Sequence, residues 1–317
     1  LALYIQDEMS YDQHHARLDD LFRVTTTFEG EAYNTIGNAS PPIANALVTE
    51  IPEVEFAARI VIPRWTSQNL IRYKEELFYE TEGAIADSTL FDVLTYEFIE
   101  GNAAQALTDP HAVVITERLA KRLFGNDKAL DQTISIQGVA TGEFKVTGVI
   151  SDNNKTFLPV NFIVSINSSG GIADYINSER VADAWAGQNF IPTFIRLSPR
   201  HNVVAVEEKM NQVLQKFGAE DLQARGMKKT LGLEPVKDVY LRSDIGQSPR
   251  ITYLYVIAAI AGFILLIASI NFINMSTARA TKRAAEIGVR KVMGAFRSSL
   301  IGQILSEAMV IVMISIT

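Results

Sequence analysis

The feature that most constrains this chain is an uncharged, apolar run near its carboxyl end. Between Arg250 and Arg279 lie 28 residues without a charged side chain, and the stretch from Tyr253 to Ile273 is apolar almost throughout. A helix rises about 1.5 Å per residue, so about 20 apolar residues cross a hydrocarbon core of roughly 30 Å. Core helices of soluble proteins seldom run this far without a charge. We therefore predict a transmembrane helix over residues 250–276.

Charge on the two sides of this run differs in sign. Residues 1–249 carry 22 Lys and Arg against 34 Asp and Glu, whereas residues 250–317 carry seven against two. Because positive charge next to a span belongs in the cytoplasm, the basic residues 277–297 are predicted to be cytoplasmic. The acidic residues 7–249 are then extracytoplasmic. An acidic domain without a basic stripe also argues against nucleic acid as a partner.

Apolar residues occur at both ends of the chain as well. Residues 1–6 are interpreted as the end of a first transmembrane helix, and residues 298–317 as the start of a further one. Glu307 interrupts the latter stretch, where a lipid-facing carboxylate would be costly. We expect Glu307 to face a protein neighbour or to lie close to the interface.

The extracytoplasmic part is predicted to alternate short strands and helices. Leu21 to Phe28 alternates apolar and polar residues as a half-buried strand does. Ser40, followed by two prolines, is the expected cap of a helix, and Thr116 to Phe124 is a second helix that ends at a glycine. A long helix is expected at 203–217, followed by a flexible loop at 218–226.

Motifs of catalytic chemistry are missing from the sequence. No phosphate-binding loop, dinucleotide fingerprint, zinc-protease motif or nucleophile elbow is present, so we predict no enzyme activity and no cofactor. The absence of cysteine excludes disulfides and thiolate metal sites. Metal-ligand residue types do cluster near the amino end, at Asp7, Glu8, Asp12, His14 and His15. Adjacent histidines point in different directions, so we favour a polar juxtamembrane segment over a metal site.

The basic segment after the span is itself patterned. Ala285, Val289, Val292, Met293 and Phe296 fall on one face of a helix. Charged residues four apart, with one glutamate between two bases, fall elsewhere and favour ion pairing on the exposed side. The pattern fits a helix that binds a partner, and it equally fits a positive-inside loop lying on anionic lipid.

The residues from Asn271 to Ala308 resemble a known family. They contain N-x-x-N-x-S-T-A-R ending at Arg279, then R-x-x-E-I-G-V-R-K-V-x-G-A, then Q-x-L-x-E ending at Glu307. This combination resembles the segment between the second and third spans of FtsX-like permeases, the MacB-type class of ABC transporters. Weaker similarities to the MacB-like extracytoplasmic domain occur in the right order, including D-E-x-S-Y-D near the amino end and FKVTGVI at 144–150.

The resemblance implies a fold class and a domain division. The fold expected is an α+β extracytoplasmic domain, a Porter-like α/β unit with an inserted Sabre-like subdomain, together with transmembrane α-helices. The Porter-like part would comprise about 20–90 and 186–245, and the Sabre-like insert about 91–185. The FtsX-like permease region would cover about 250–317. The ends of the chain resemble the first half of a longer permease, and the resemblance allows a second copy of the unit downstream.

It also implies a function and a set of site residues. Such permeases hydrolyse no ATP themselves but couple hydrolysis by a separate ABC ATPase subunit to movements of the periplasmic domain, a mechanotransmission used to export or extract a peptide, lipid, lipoprotein or drug. The residues that match the coupling segment are Arg283, Glu286, Gly288, Arg290, Lys291, Gly294 and Arg297. Further partners implied are membrane lipid, a second permease half or homodimer partner, and a periplasmic adaptor or substrate. The location implied is the bacterial inner membrane, as a multi-pass protein.

Two alternatives remain open at this point. An FtsX-like regulator of a cell-wall hydrolase would share these motifs and transport nothing. A membrane-anchored extracytoplasmic sensor would have the same span, but it needs a cytoplasmic output domain, whereas only about 20 residues separate the span from the next apolar stretch.

Overall fold

The protein is described from a computed structural model, which covers residues 2–30, 34–63, 68–153, 155–246, 249–294 and 296–316. Within the last two helices the side chains of 279–286, 297, 304, 308, 311, 312 and 314–316 lie outside the description. The chain divides into two compact units, Ala2–Thr252 and Tyr253–Thr317, and each is described by itself.

The first unit is built on a mixed β-sheet with thirteen strands in the described residues. These are β1 (Leu21–Phe28), β2 (Asn34–Ile36), β3 (Val54–Val61), β4 (Asn69–Tyr73), β5 (Glu76–Glu80), β6 (Gly83–Ala86), β7 (Phe98–Gly101), β8 (Ala112–Thr116), β9 (Thr133–Gln137), β10 (Thr141–Ile150), β11 (Phe162–Ser165), β12 (Thr193–Leu197) and β13 (Lys229–Pro235). Their order is β13-β1-β12-β3-β6-β11-β8-β10-β9-β4-β5, with β2 beside β1 and β7 beside β10.

Ten α-helices accompany the sheet in the described chain. They are α1 (Ala2–Glu8), α2 (Ile43–Glu50), α3 (Leu90–Val93), α4 (Glu117–Phe124), α5 (Gly171–Asn177), α6 (Glu179–Ala182), α7 (Val203–Ala224), α8 (Val236–Val239), α9 (Arg250–Val292) and α10 (Arg297–Ile316). The first eight belong to the first unit. The predicted α+β fold is therefore confirmed for this unit.

Apolar side chains of the first unit are buried in three clusters. One surrounds Phe144 and Phe162, a second lies under α2 and α7, and a third surrounds Phe194. Strands β6, β8 and β11 are buried along their whole length, which explains their continuous apolar sequences. Parallel pairs β8–β10 and β6–β11 lie at the centre of the sheet. The three clusters give this unit a core of its own.

Strands β4 and β6 pair with strands from the middle of the chain, β4 with β9 and β6 with β11. The limits of the Porter-like and Sabre-like parts remain a prediction.

Local sequence signals decided some helix ends and failed at another. The predicted helix α4 begins as expected, since the Thr116 hydroxyl accepts a hydrogen bond from Leu119 N at 3.4 Å, and it ends at Gly125 with φ 64°. Ser40, in contrast, does not cap α2. Its hydroxyl donates to the carbonyl of Trp185 at 2.9 Å, because a partner 145 residues away competes with the local cap.

The loop expected at 218–226 is mostly helix, so that prediction was wrong. Helix α7 continues through Gly218 to Ala224. A Cβ at Gly218 would lie 3.1 Å from Cβ of Trp185, so the glycine permits close packing of the helix rather than its end.

Helix α7 also covers one edge of the sheet. Strand β13 is an edge strand, and Asn211 on α7 donates to Leu231 O and accepts from Leu231 N, both at 2.8 Å. Glu207 accepts from Leu233 N at 2.7 Å. The side chains of α7 thus satisfy backbone groups that an exposed edge would offer to another strand.

The second unit consists of the rest of α9 and of α10. Helix α9 runs without a break over 43 residues, Arg250–Val292, and so includes both the predicted span and most of the basic segment after it. No proline, the usual cause of a sharp kink, occurs in it.

Candidate functional site

The apolar part of α9 is long enough to cross a membrane. Its segment Arg250–Ala278 has 29 residues and a mean hydropathy of 2.6, and it is the one such helix found in the described part of the chain. Its large side chains are unprotected, with Phe263, Leu265 and Ile267 each about two-thirds exposed. An apolar surface of this size is stable in lipid rather than water.

Beyond Ala278 the same helix carries the basic residues. At about 1.5 Å per residue, 43 residues extend roughly 65 Å, about twice the hydrocarbon core. The part of α9 that holds Gly288, Arg290 and Lys291 is therefore a continuation of the span.

A tight connection joins α9 to α10. Gly294 has φ 94°, which a side chain would disfavour, and its N–H donates to Lys291 O at 3.2 Å. Arg290 Nη1 donates to Gln303 Oε1 at 3.2 Å, which ties the two helices together across the connection. Helix α9 thus ends at Val292, two residues before this glycine.

The tip formed by this connection is apolar. Val292, Met293 and Phe296 are between 80% and 89% exposed, and Val289 precedes them on α9 at 59%. We call Val289, Val292, Met293 and Phe296 the apolar tip. Basic side chains at Arg290 and Lys291 lie within the same stretch. A surface of this composition fits a partner groove that is apolar at its centre and acidic at its rim.

The structure places the predicted coupling residues along this hairpin. Gly288, Arg290 and Lys291 lie on α9 and Gly294 lies in the connection. Arg283 and Glu286 fall within α9 and Arg297 begins α10, but their side chains lie outside the described residues. The ion pairs expected around Glu286 lie outside them as well.

Gly288 lies on α9 with open space around it, as does Gly262 in the span. A Cβ built on Gly288 meets no atom within 4 Å. Glycine within a helix costs about 1 kcal/mol relative to alanine. A helix that keeps this glycine gains a place where another backbone can approach closely.

Within the first unit, the structure shows a junction that the sequence did not predict. The rings of Tyr11 and Tyr240 are stacked with centroids 3.8 Å apart, and the Arg250 guanidinium lies 4.5 Å from the Tyr240 ring. Tyr240 Oη donates to Glu8 Oε2 at 3.0 Å, and Asp7 forms an ion pair with Lys155. Burial and the hydrogen bond to Glu8 raise the pKa of Tyr240, although Arg250 acts in the opposite direction.

This junction ties the segment that follows α1 to the segment that leads into α9. The only signal in the sequence was the D-E-x-S-Y-D similarity, since Tyr240 and Lys155 belong to no motif. Within the described residues, no group of three or more His, Asp or Glu side chains is arranged to hold a metal ion. Asp7 and Glu8 bind Lys155 and Tyr240 instead.

The two parts of the chain match two family descriptions. Residues 1–213 match the MacB-like periplasmic core domain, and residues 258–317 match the FtsX-like permease C-terminal family. A solved domain of a permease protein from Porphyromonas gingivalis superposes with a TM-score of 0.58 at 19% identity, over 70% of this chain and 92% of that domain. Its identity is too low to indicate more than a shared fold.

Curated relatives show the same relationship in sequence. The macrolide export ATP-binding/permease protein MacB of Mannheimia succiniciproducens is 24% identical over 80% of this chain and 36% of its own length. The ABC transporter permease YknZ of Bacillus subtilis is 26% identical over 63% of this chain and 45% of its own length. The chain thus spans less than half of these relatives. With most of its length matched by these two descriptions, the chain belongs to the FtsX-like permease family that carries a MacB-like periplasmic core domain.

Proposed function

We propose that this chain is the permease subunit of a MacB/FtsX-type ABC transporter, and that it carries work from ATP hydrolysis in a separate ABC ATPase subunit to its periplasmic domain. The observation that carries the proposal is the unbroken helix α9, Arg250–Val292. One end of this helix joins the domain, and the other bears the coupling residues.

A continuous helix suits this task because it is stiff along its axis. Bending it sharply requires a proline, a bulge or a broken hydrogen bond, and α9 contains no proline. Displacement of the tip by a partner is then transmitted through the span to residues before Arg250. A separate coupling helix on a flexible loop would lose much of that displacement.

The apolar tip and its neighbouring bases form the docking surface in this proposal. Phe296 and Met293 would enter an apolar groove of the ATPase, Arg290 and Lys291 would pair with acidic residues at its rim, and Gly288 would permit close approach of its backbone. The hydrogen bond from Arg290 to Gln303 keeps the tip in one shape before docking.

The remaining features of the proposal concern setting and cargo. The chain would lie in the bacterial inner membrane as a multi-pass protein, contact lipid through α9, and associate with a second permease half or with another copy of itself. The cargo would be a peptide, lipid, lipoprotein or drug, handled with a periplasmic adaptor. The match of residues 258–317 to a permease family favours this function over a sensor.

The first experiment reverses charge at the tip. The double variant Arg290→Glu, Lys291→Glu is expected to lose co-purification with the ABC ATPase subunit and to lose stimulated ATP hydrolysis, because two attractive pairs become repulsive. A matched control, Lys121→Glu with Lys128→Glu, changes two exposed lysines of the periplasmic unit by the same charge and is expected to leave both measurements unchanged. Equal behaviour of the two variants would refute the docking role.

A second pair of variants separates docking from shape. Gly288→Ala should stabilise the helix and yet weaken binding to the ATPase, because the added methyl group occupies the open approach. Gly262→Ala, at an equally open position within the span, should leave binding unchanged. Gln303→Ala removes the bond to Arg290 and tests whether the shape of the tip matters. Unaltered binding by Gly288→Ala would remove Gly288 from the docking surface.

A further inference from the structure

A buried polar cluster holds the segment that follows α1 onto the periplasmic unit. Asp12 is 1% exposed and His15 is 5% exposed, although both belong to a short segment of polar sequence. Asp12 N donates to Lys155 O at 2.9 Å, and Ala16 N donates to the hydroxyl of Thr95 at 2.8 Å. We call residues 12–16 the latch segment.

A hydrogen bond from Thr95 determines which ring nitrogen of His15 carries the proton. Its Nδ1 accepts from Thr95 N at 3.1 Å, so Nδ1 carries no proton. The proton of the neutral ring is then on Nε2, which lies 3.6 Å from Asp12 Oδ1. A second proton could enter only at Nδ1, where it would face the N–H of Thr95 and break that bond. The hydrogen bond that Thr95 N makes to the docked segment therefore forms only with the neutral ring.

His14 lies against the same ring. The two imidazole centroids are 4.2 Å apart, and His14 Nε2 is buried without a partner in the described residues. Burial lowers the pKa of His14, and the neighbouring His15 lowers it further, although Asp12 and a hydrogen bond with the backbone of Thr95 act in the opposite direction. Docking thus favours the neutral form of His14 as well.

The other groups that face the cluster do not supply a balancing charge. From the segment after α3 comes the phenol of Tyr96, whose pKa is raised by burial and by the charge of Asp12. From the segment at 155–157 come backbone groups, including Phe157 N, which donates to Asp12 Oδ1 at 3.3 Å. The ammonium of Lys155 is paired with Asp7 instead. Asp12 Oδ2 and Tyr96 Oη are both buried without a partner in the described chain.

A cavity of about 290 Å³ lies beside the cluster and is lined by Tyr11, Tyr96 and Lys155 among others. It provides room for the water through which protons reach buried groups.

From this geometry we propose that the latch segment is a proton-operated release. It docks on the periplasmic unit while His14 and His15 are neutral, and it leaves its seat when the extracytoplasmic medium becomes acidic. This inference rests on the proposed function in one respect, since only that topology exposes the segment to the outer medium. Release would loosen the connection between the segment after α1 and the junction at Tyr11 and Tyr240.

The direction of the pH dependence of docking follows from the linkage between proton binding and docking. A histidine whose pKa is lower when docked binds a proton more readily when undocked, so docking is strongest above the ordinary histidine pKa of about 6.5 and weakens as the pH falls below it. For one linked proton the docking equilibrium changes by at most about tenfold per pH unit, and only until the docked histidine itself takes up the proton.

Hydrogen exchange of the full chain in detergent, without any ATPase, tests the proposal. After correction for intrinsic rates, peptides covering 9–17 and 93–97 should lose protection by about tenfold per pH unit below roughly pH 6.5. The peptide covering β11, which is buried along its length, should stay protected. The double variant His14→Gln, His15→Gln keeps hydrogen-bonding groups but cannot titrate, so its protection should not depend on pH. A histidine control, His111→Gln, changes an exposed ring and should retain the wild-type response.

Three results would each overturn the proposal. Protection of the wild type could prove independent of pH, protection of the double variant could depend on pH as in the wild type, or the His111→Gln variant could lose the pH dependence. If the double variant is unprotected even at pH 7.5, the single variants His14→Gln and His15→Gln are measured instead. The proposal is contradicted if protection in both still depends on pH as strongly as in the wild type. Because no ATPase is present, these outcomes are independent of whether the tip binds one.

Discussion

In the unit formed by Ala2–Thr252 the large apolar side chains are enclosed in three clusters, whereas along α9 they face outward. Phe194 has no exposed surface, and Phe263 is 66% exposed. Both residues are phenylalanines in regular secondary structure, so the difference lies in their surroundings. In the first unit the protein removes apolar surface from water by itself, and in the second the bilayer does so. The same residue type therefore has a different energetic role on each side of residue 253.

The largest expected effect contrasts these two phenylalanines. Phe194→Ala should lower the free energy of unfolding of the periplasmic unit by about 3–5 kcal/mol, since it leaves a cavity in a packed core, whereas Phe263→Ala should leave it unchanged. The sequence has no tryptophan after Trp185, which packs in the periplasmic unit, so tryptophan fluorescence during urea unfolding in detergent reports on that unit. Similar losses from both variants would contradict separate surroundings for the two units.

Lysine substitutions at two similarly exposed leucines test whether the two units have different surroundings. Leu265 is 69% exposed and Leu77, on β5, is 60% exposed. Leu265→Lys should cost about 2.5–3.5 kcal/mol of membrane insertion, because the charge enters the centre of the span, whereas Leu77→Lys should change stability by no more than about 0.5 kcal/mol. Extraction of the membrane fraction with alkaline carbonate measures the first effect. If the Leu265→Lys variant stays in the membrane fraction as the wild type does, Leu265 does not lie in the hydrocarbon core of the bilayer.

Backbone groups at the edge of the sheet should show a smaller effect. Asn211→Leu leaves the N–H and carbonyl of Leu231 without their partners, which should cost about 1–3 kcal/mol of stability. The exposed edge should also increase self-association with protein concentration. Gln212→Leu adds the same apolar group at an exposed neighbouring position. Urea midpoints and light scattering of the two variants distinguish loss of the hydrogen bonds to Leu231 from addition of apolar surface. Matching values for the two variants would show that Asn211 does not protect the edge strand.

The smallest effect comes from a buried lysine of the first unit. Lys229 is 3% exposed and donates to Ser40 Oγ at 3.1 Å and to Asn189 Oδ1 at 2.7 Å, and burial lowers its pKa to about 8. Between pH 8 and the unfolded value near 10.5, the unfolded chain holds a proton that the folded chain has released, so this group adds stability as the pH rises.

From pH 8 to pH 9 the wild type should gain about 1 kcal/mol relative to Lys229→Met. The exposed neighbour serves as the control, and Lys228→Met should track the wild type. Parallel pH curves for the wild type and the Lys229→Met variant would show that Lys229 keeps an ordinary pKa.

Sequence patterns predicted the elements whose causes are local. Strand β1 and helix α4 have the predicted bounds to within a residue, because alternation and end signals act over a few neighbours. Ser40 and Gly218 were misread for one reason. Each contacts Trp185, and a distant partner overrode the local meaning of serine before proline and of glycine in a helix.

The candidate site shows the same division. A motif was enough to propose Gly288, Arg290 and Lys291 as coupling residues, because they follow one another on a single helix. The junction at Tyr240 and the latch at His15 were not found. Tyr240 and Glu8 are 232 residues apart, and Thr95 and His15 are 80 apart, so no window of sequence contains either pair.

The sequence by itself determined that this chain has a membrane span, a basic segment after it and an acidic mixed α/β domain before it. Hydropathy, charge and periodicity are sums over neighbouring residues, and folding does not alter them. The tertiary structure alone decided that α7 closes the edge of the sheet and that His15 is buried beside Asp12. These depend on contacts between distant residues, whose energies exceed the local preferences that the sequence displays.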